Sequence, residues 1–141
     1  MPRVQDMFGA WSLVQSDNWD NHLRALGFGT LARIKVANMS MSYIVSADDD
    51  KINISVLSRL QNTDVSYTLN GPSVEMKNGD FVSRDSLSWN NDTSELVLIK
   101  RSSSHIIHVE HRLNTTRHTL TIRSRVEGHG DATLVQTYRR S

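Results

Sequence analysis

Phe8-Gly9-Ala10-Trp11-Ser12-Leu13-Val14-Gln15-Ser16-Asp17-Asn18-Trp19-Asp20-Asn21-His22-Leu23-Arg24-Ala25-Leu26-Gly27-Phe28-Gly29 changes period in its middle. Trp11, Leu13 and Gln15 fall on one side of an alternating run and Ser12 and Val14 on the other, which is the spacing of a strand. From Ser16 onward the apolar residues recur at threes and fours. Trp19, Leu23 and Leu26 share one face of a helix that Ser16 or Asp17 would cap and Gly27 and Gly29 would stop. A strand that runs into a short helix therefore opens the chain.

A second short helix is expected over Thr30–Ala37, with Leu31 and Ile34 on one face. After Met39 the pattern is strands alone, with turn signals roughly every ten residues. Asp48-Asp49-Asp50-Lys51, Asn70-Gly71-Pro72, Lys77-Asn78-Gly79-Asp80, Asn90-Asn91-Asp92, Ser102-Ser103-Ser104, Asn114-Thr115-Thr116 and Gly128-His129-Gly130-Asp131 separate runs such as Ile52-Asn53-Ile54-Ser55-Val56. Asn78-Gly79 is the strongest hairpin signal, because both residues tolerate a positive φ. Pro2 and Pro72, the two prolines, both avoid strand interiors. About ten short antiparallel strands predict a sandwich or an up-and-down barrel, and closure, which removes exposed edges, favours the barrel. Polar inward alternatives on several strands (Asn53 and Ser55; His108, Glu110 and Arg112; Gln136) suggest an internal space for ligand and water.

Composition narrows the function. The 141 residues make one domain, 1–141, with 16 basic and 15 acidic residues, a net charge of +1 and no cysteine. Thiol nucleophiles and disulfides are excluded, and no polybasic footprint for nucleic acid stands out. No run reaches the roughly 18 apolar residues of a membrane span and the first residues lack an apolar export core, so a cytoplasmic protein is expected. His105, His108, His111 and Glu110 have helical ligand spacing on a segment that reads as a strand, where His108 faces away from the other two histidines; no metal and no other cofactor is expected. No nucleophile triad, phosphate loop or carboxylate pair stands out as a catalytic centre.

Three segments resemble the intracellular lipid-binding proteins, the family of fatty-acid-binding and cellular retinoid-binding proteins. They are Phe8-Gly9-x-Trp11-x-Leu13 with Ser16-x-Asn18-Trp19-Asp20 and Leu26-Gly27-Phe28-Gly29; Gln61-Asn62-Thr63-Asp64-Val65-Ser66-Tyr67; and Gln136-Thr137-Tyr138-Arg139. The resemblance implies an all-β, calycin-like fold: a ten-stranded antiparallel up-and-down β-barrel (β-clam) capped by a helix-turn-helix portal. It also implies a non-catalytic carrier of a long-chain fatty acid or similar hydrophobic ligand. A neutral-head-group lipid such as retinol is the alternative, followed by an enzyme acting on a small ligand. The expected partners are that ligand and, transiently, a membrane met through the portal, with the chain a monomer and no nucleic acid bound.

The departures from the family pattern fall at the head group. Fatty-acid binders hold the carboxylate with an Arg on the eighth strand and an Arg-x-Tyr on the last. Here the latter reads Gln136-x-Tyr138, and Glu110 falls where the other Arg would be. A carboxylate in a low-dielectric cavity needs a cation or several donors, and Gln lacks the Arg fork. Glu110 would repel an anion unless Arg112 or Lys100 neutralises it, and an exposed cross-strand pair with Arg112 is an equal reading. The tail keeps its own contribution: about fifteen methylenes at roughly 0.8 kcal/mol each give on the order of 12 kcal/mol before entropic costs. The expected ligand contacts are Gln136, Tyr138, Glu110, Arg112 and His108 near the head group; Trp19, Leu23 and Phe28 on the lid; and Ile54, Val56 and Leu60 on the strand and turn beside it. Access would come by the helices opening against the turns at Ser55–Leu60 and Asn78–Asp80.

Overall fold

In a computed structural model that describes residues 2–37, 39–59, 62–78 and 81–141, the alternating runs form ten strands. They are β1 (Gly9–Asp17), β2 (Met41–Asp48), β3 (Lys51–Ser58), β4 (Asn62–Thr68), β5 (Val74–Asn78), β6 (Phe81–Asn90), β7 (Glu95–Ser102), β8 (Ile106–Asn114), β9 (Thr119–Val126) and β10 (His129–Arg140). Two helices, α1 (Trp19–Ala25) and α2 (Thr30–Ala37), lie between β1 and β2, and a short 3-10 turn, Val4–Met7, precedes β1. Leu60, the turn at 79–80 and Gln61 of the second family-like segment lie outside the described residues.

Every strand pairs antiparallel with its sequence neighbour except across β4 and β5, and β1 pairs with β10, so the order is β4-β3-β2-β1-β10-β9-β8-β7-β6-β5. The result is a nearly closed barrel. Closure was expected to remove every edge; instead a seam separates β4 from β5, and groups after or within β4 reach past it to β6. Asn70 N–H donates to the Leu87 carbonyl at 2.8 Å, Asn70 Oδ1 accepts from Trp89 N–H at 3.0 Å, and the Tyr67 hydroxyl donates to Asp85 at 3.4 Å.

Alternation decides what faces in. Ile52, Ile54 and Val56 of β3 point inward, leaving Asn53 and Ser55 outside, hydrogen-bonded to Ser66 and Asp64. Met7, Trp11, Tyr43, Leu87, Leu96, Leu120 and Tyr138 pack one end shut. Arg140 seals that end: its guanidinium lies 4.1 Å from the Trp11 ring centre and donates to the carbonyls of Asp6 and Phe8. β1 departs from strict alternation. A bulge between Leu13 and Gln15 moves Val14 out, to 54 % exposure, and brings Ser16, not Gln15, opposite Gln136.

The helices cover the other end. Asn18, not Asp17 or Ser16, stands at the N-cap of α1, in the left-handed region with φ 78° and without a capping side-chain bond. Its amide instead donates to the carbonyls of Asp131 and Thr133 on β10, so the residue ties the helix to the barrel. α1 ends as its glycine predicted. Gly27 has φ 90°, its N–H donates to the Arg24 carbonyl and Phe28 N–H to the Leu23 carbonyl, a Schellman closure that also brings Phe28 over Leu23. α2 packs chiefly on α1, held by Arg33 on Asp20 at 2.6 Å. The shared face of Leu31 and Ile34 turns outward, 76 % and 61 % exposed. No helix among the described residues is long and apolar enough to cross a membrane.

Candidate functional site

Beneath the helices lies a cavity of about 650 Å³, within the size range that encloses a small-molecule ligand. Trp19, Leu23, Leu26 and Phe28 form its roof, and Met76, Ile107 and Val109 much of its apolar wall. The three lid residues expected from sequence are therefore all brought to one cavity. His22, which sequence reasoning passed over, joins them: its Nδ1 donates to the Ala132 carbonyl at 2.9 Å. Burial pushes its pKa below the ordinary 6.5, only partly offset by that bond, so the imidazole is neutral at pH 7. Its Nδ1 proton is engaged, which leaves Nε2 as an acceptor.

Below the cavity the barrel is filled. Leu96, His111, Ile122 and Gln136 stand side by side across β7, β8, β9 and β10, with Tyr138 one inward position deeper. His111 Nδ1 faces the Leu96 carbonyl at 2.8 Å, so that nitrogen carries the proton and Nε2 accepts from the Tyr43 hydroxyl. Tyr43 packs on both His111 and Tyr138, with ring centres 5.5 Å and 5.6 Å apart. Desolvation lowers the His111 pKa to about 4 and raises that of Tyr43, so the trio is uncharged around neutrality. Gln136 is buried, and its amide donates to Ser16 Oγ at 3.4 Å and Met41 Sδ at 3.6 Å. Gln136 and Tyr138 thus face the interior, in the packed layers under the cavity and not on its wall. Ile54 and Val56 also belong to the packed interior.

The β8 residues require a correction. Register pairs His111 with Ile122 and Val109 with Ser124, and these point inward; Glu110, Arg112 and His108 occupy the alternate positions and face out. Each has an outside partner: Glu110 accepts from Arg125 at 2.8 Å, Arg112 meets Glu95 at 3.5 Å, and His108 bonds Glu127 at 2.8 Å. The cross-strand surface reading wins, although the partner of Glu110 is Arg125 and not Arg112. Parity carried a usable signal, since Ile107, Val109 and Leu113 form an apolar alternation that includes His111.

A second polar group on the wall contains Lys100, which the sequence suggested only as a partner for Glu110, and Asp85, which it did not single out. Asp85 of β6 lies opposite Lys100 of β7, both on inward positions. The carboxylate is fully buried; Oδ1 accepts from Ser83 Oγ at 2.7 Å, and Oδ2 takes the Tyr67 hydroxyl and lies 3.5 Å from Lys100 Nζ. Lys100 and Ser83 reach the cavity surface, while Asp85 stands behind them. Among the described residues that line the cavity, Lys100 is the one Lys or Arg.

No family model matches the chain. It is similar to fatty acid-binding protein homolog 7 of Caenorhabditis elegans, 29 % identical over 75 residues, which span 53 % of this chain and only 55 % of that protein. Among solved structures, Caenorhabditis elegans lipid binding protein 8 superimposes with a TM-score of 0.86 at 15 % identity over 100 % of this chain and 99 % of that one. A Schistosoma mansoni fatty acid binding protein in complex with arachidonic acid gives 0.85 at 18 % identity, covering 99 % of each chain. Human cRBP IV gives 0.80 at 21 % identity, covering 96 % of this chain and 98 % of that one.

Proposed function

We propose that this chain is a member of the intracellular lipid-binding protein family and a non-catalytic carrier that encloses one long-chain fatty acid or similar hydrophobic ligand. The observation that carries this reading is the 650 Å³ cavity, roofed by Trp19, Leu23, Leu26 and Phe28 and walled by apolar barrel residues. Apolar area removed from water supplies the affinity, and a few polar groups fix the orientation. The fatty acid held by the Schistosoma mansoni relative supports the same ligand class here. The neutral layer of His111, Tyr43 and Gln136 beneath the cavity keeps a second reading in play, a ligand with an uncharged head group. Contact with a bilayer through α2, where Leu31 and Ile34 stand exposed, completes the cycle of loading and release.

Titration of delipidated protein with a fluorescent long-chain fatty acid and, separately, with retinol tests the proposal. A saturable one-to-one signal in the micromolar range or tighter is expected for the acid, with transfer to vesicles whose rate rises with vesicle concentration. Failure of both ligands to bind ends the carrier reading; tighter binding of retinol selects the neutral head group.

A further inference from the structure

The layer under the cavity offers a ligand carboxylate little. Tyr43 and His111 use their polar hydrogens on each other and on Leu96, no positive charge stands among them, and the Gln136 amide is directed at Ser16 and Met41. An ionised carboxyl brought there would lose its water without gaining a cation. Both cations that the family pattern places at this depth are missing from this chain, and of that pattern the neutral Tyr138 hydroxyl remains, one inward position deeper than Gln136.

Nearer the lid the inventory is reversed. Lys100 lies four residues along β7 from Leu96, about 13 Å farther along the strand at the usual rise, on the cavity side. Its side chain is 30 % exposed and opens on the cavity. The 3.5 Å separation from Asp85 is an ion-pair contact longer than the roughly 2.7–2.9 Å of a charge-assisted hydrogen bond, so the ammonium keeps donors for another acceptor. Asp85 is supported independently by Ser83 and Tyr67 and does not need all of Lys100. A carboxylate in the cavity meets the cation first and the buried anion only behind it. Its attraction to Lys100 therefore exceeds its repulsion by the more distant Asp85.

We infer that the ligand's carboxylate binds on the β6–β7 wall, at Lys100 beside Ser83, with its polar end toward the lid and not at the Gln136–Tyr138 layer. The inference deepens the carrier reading and rests on it. Asp85 is the positioning residue: it holds Lys100 against the wall and, through Tyr67, joins the β4 and β6 sides of the seam at the same point.

The test is calorimetric titration of wild type, Lys100→Met, Lys100→Arg and Gln136→Leu with a long-chain fatty acid and with the alcohol of the same chain length. Lys100→Met should weaken the acid by about tenfold or more and the alcohol by less than about threefold, the size of a lost charge-assisted hydrogen bond. Lys100→Arg should restore most of the difference, and Gln136→Leu should not separate acid from alcohol. The double variant Lys100→Met/Asp85→Asn, which leaves no buried charge unpaired, should show the same loss of preference for the acid and guards against misfolding of the single variant. Equal acid and alcohol affinities across wild type and both Met-containing variants, or an acid-selective loss in Gln136→Leu, would overturn the inference. Wild type that binds neither ligand would instead remove the carrier reading beneath it.

Discussion

At the closed end of the barrel, His111, Tyr43 and Tyr138 sit ring against ring, with the polar hydrogen of each of the first two already given to a protein acceptor. At the lid end, Lys100 and His22 line the open cavity, and the His22 Nδ1 proton alone is engaged by the barrel. Both ends hold a histidine whose pKa burial depresses, yet the first is locked in a filled layer and the second hangs from a short helix on one barrel carbonyl. The contrast teaches that polar residues inside this barrel divide into those that hold the fold and those left for a ligand. Spare hydrogen-bonding capacity, more than residue type, tells them apart.

Truncation should break this comparison most visibly. Tyr43→Ala removes a buried ring and leaves His111 Nε2 without its donor, and about 3–5 kcal/mol of stability should be lost in urea unfolding. Leu23→Ala is also a deletion at a buried site, but the space it opens merges with an existing cavity. Its cost should stay near the lower end, about 2 kcal/mol, while ligand dissociation quickens. Equal losses at the two sites would mean that the lid is as tightly packed as the closed end.

Acid sharpens the same contrast. Well above pH 6.5, neither folded nor unfolded His111 holds a second proton and its contribution is complete. Between 6.5 and about 4 the unfolded chain binds a proton that the fold excludes, so stability falls as pH falls. The total is on the order of 3 kcal/mol, levelling off below the folded pKa. His22 acts in the same direction. Urea midpoints measured from pH 7.5 to 4 should show this decline reduced in His111→Gln; an unchanged slope would show that His111 is protonated within the fold.

The fold was legible because its signals are local: the change of period in Phe8–Gly29, the glycine stop at Gly27, and turns at regular intervals. Trp19 and Leu23 shared a face by helical spacing, while Phe28, beyond the Gly27 stop, and the role of all three as a lid came with the family resemblance. The head-group wall was not legible, for two physical reasons. On β7, Leu96 and Leu98 alternate with Val97 and Ile99, so hydrophobicity does not say which side of the strand faces in, and Lys100 inherits that ambiguity. Asp85 and Lys100 meet only through the register of β6 on β7. On β8 the resemblance pointed to Glu110, one residue from the inward position that Ile107, Val109 and Leu113 assign to His111; a one-residue error in a strand exchanges its faces.

The smallest of these effects is expected at the hinge between the two regions. Asn18 carries φ 78°, which glycine adopts without strain, and its amide bridges the Asp131 and Thr133 carbonyls that anchor the start of α1. Asn18→Gly keeps the backbone conformation and removes both bonds, together with the exposed one that its Oδ1 accepts from Asn21, so about 1–2 kcal/mol should go, chiefly from the two bonds to the barrel. Because those bonds join the lid to β10 and touch nothing in the closed end, the loss should appear in opening more than in global unfolding. Stopped-flow ligand release should accelerate by about three- to tenfold while the midpoint of unfolding moves little. A matching loss in global stability with no change in release would make Asn18 part of the barrel's cooperative core, and the lid would then not be a separate element.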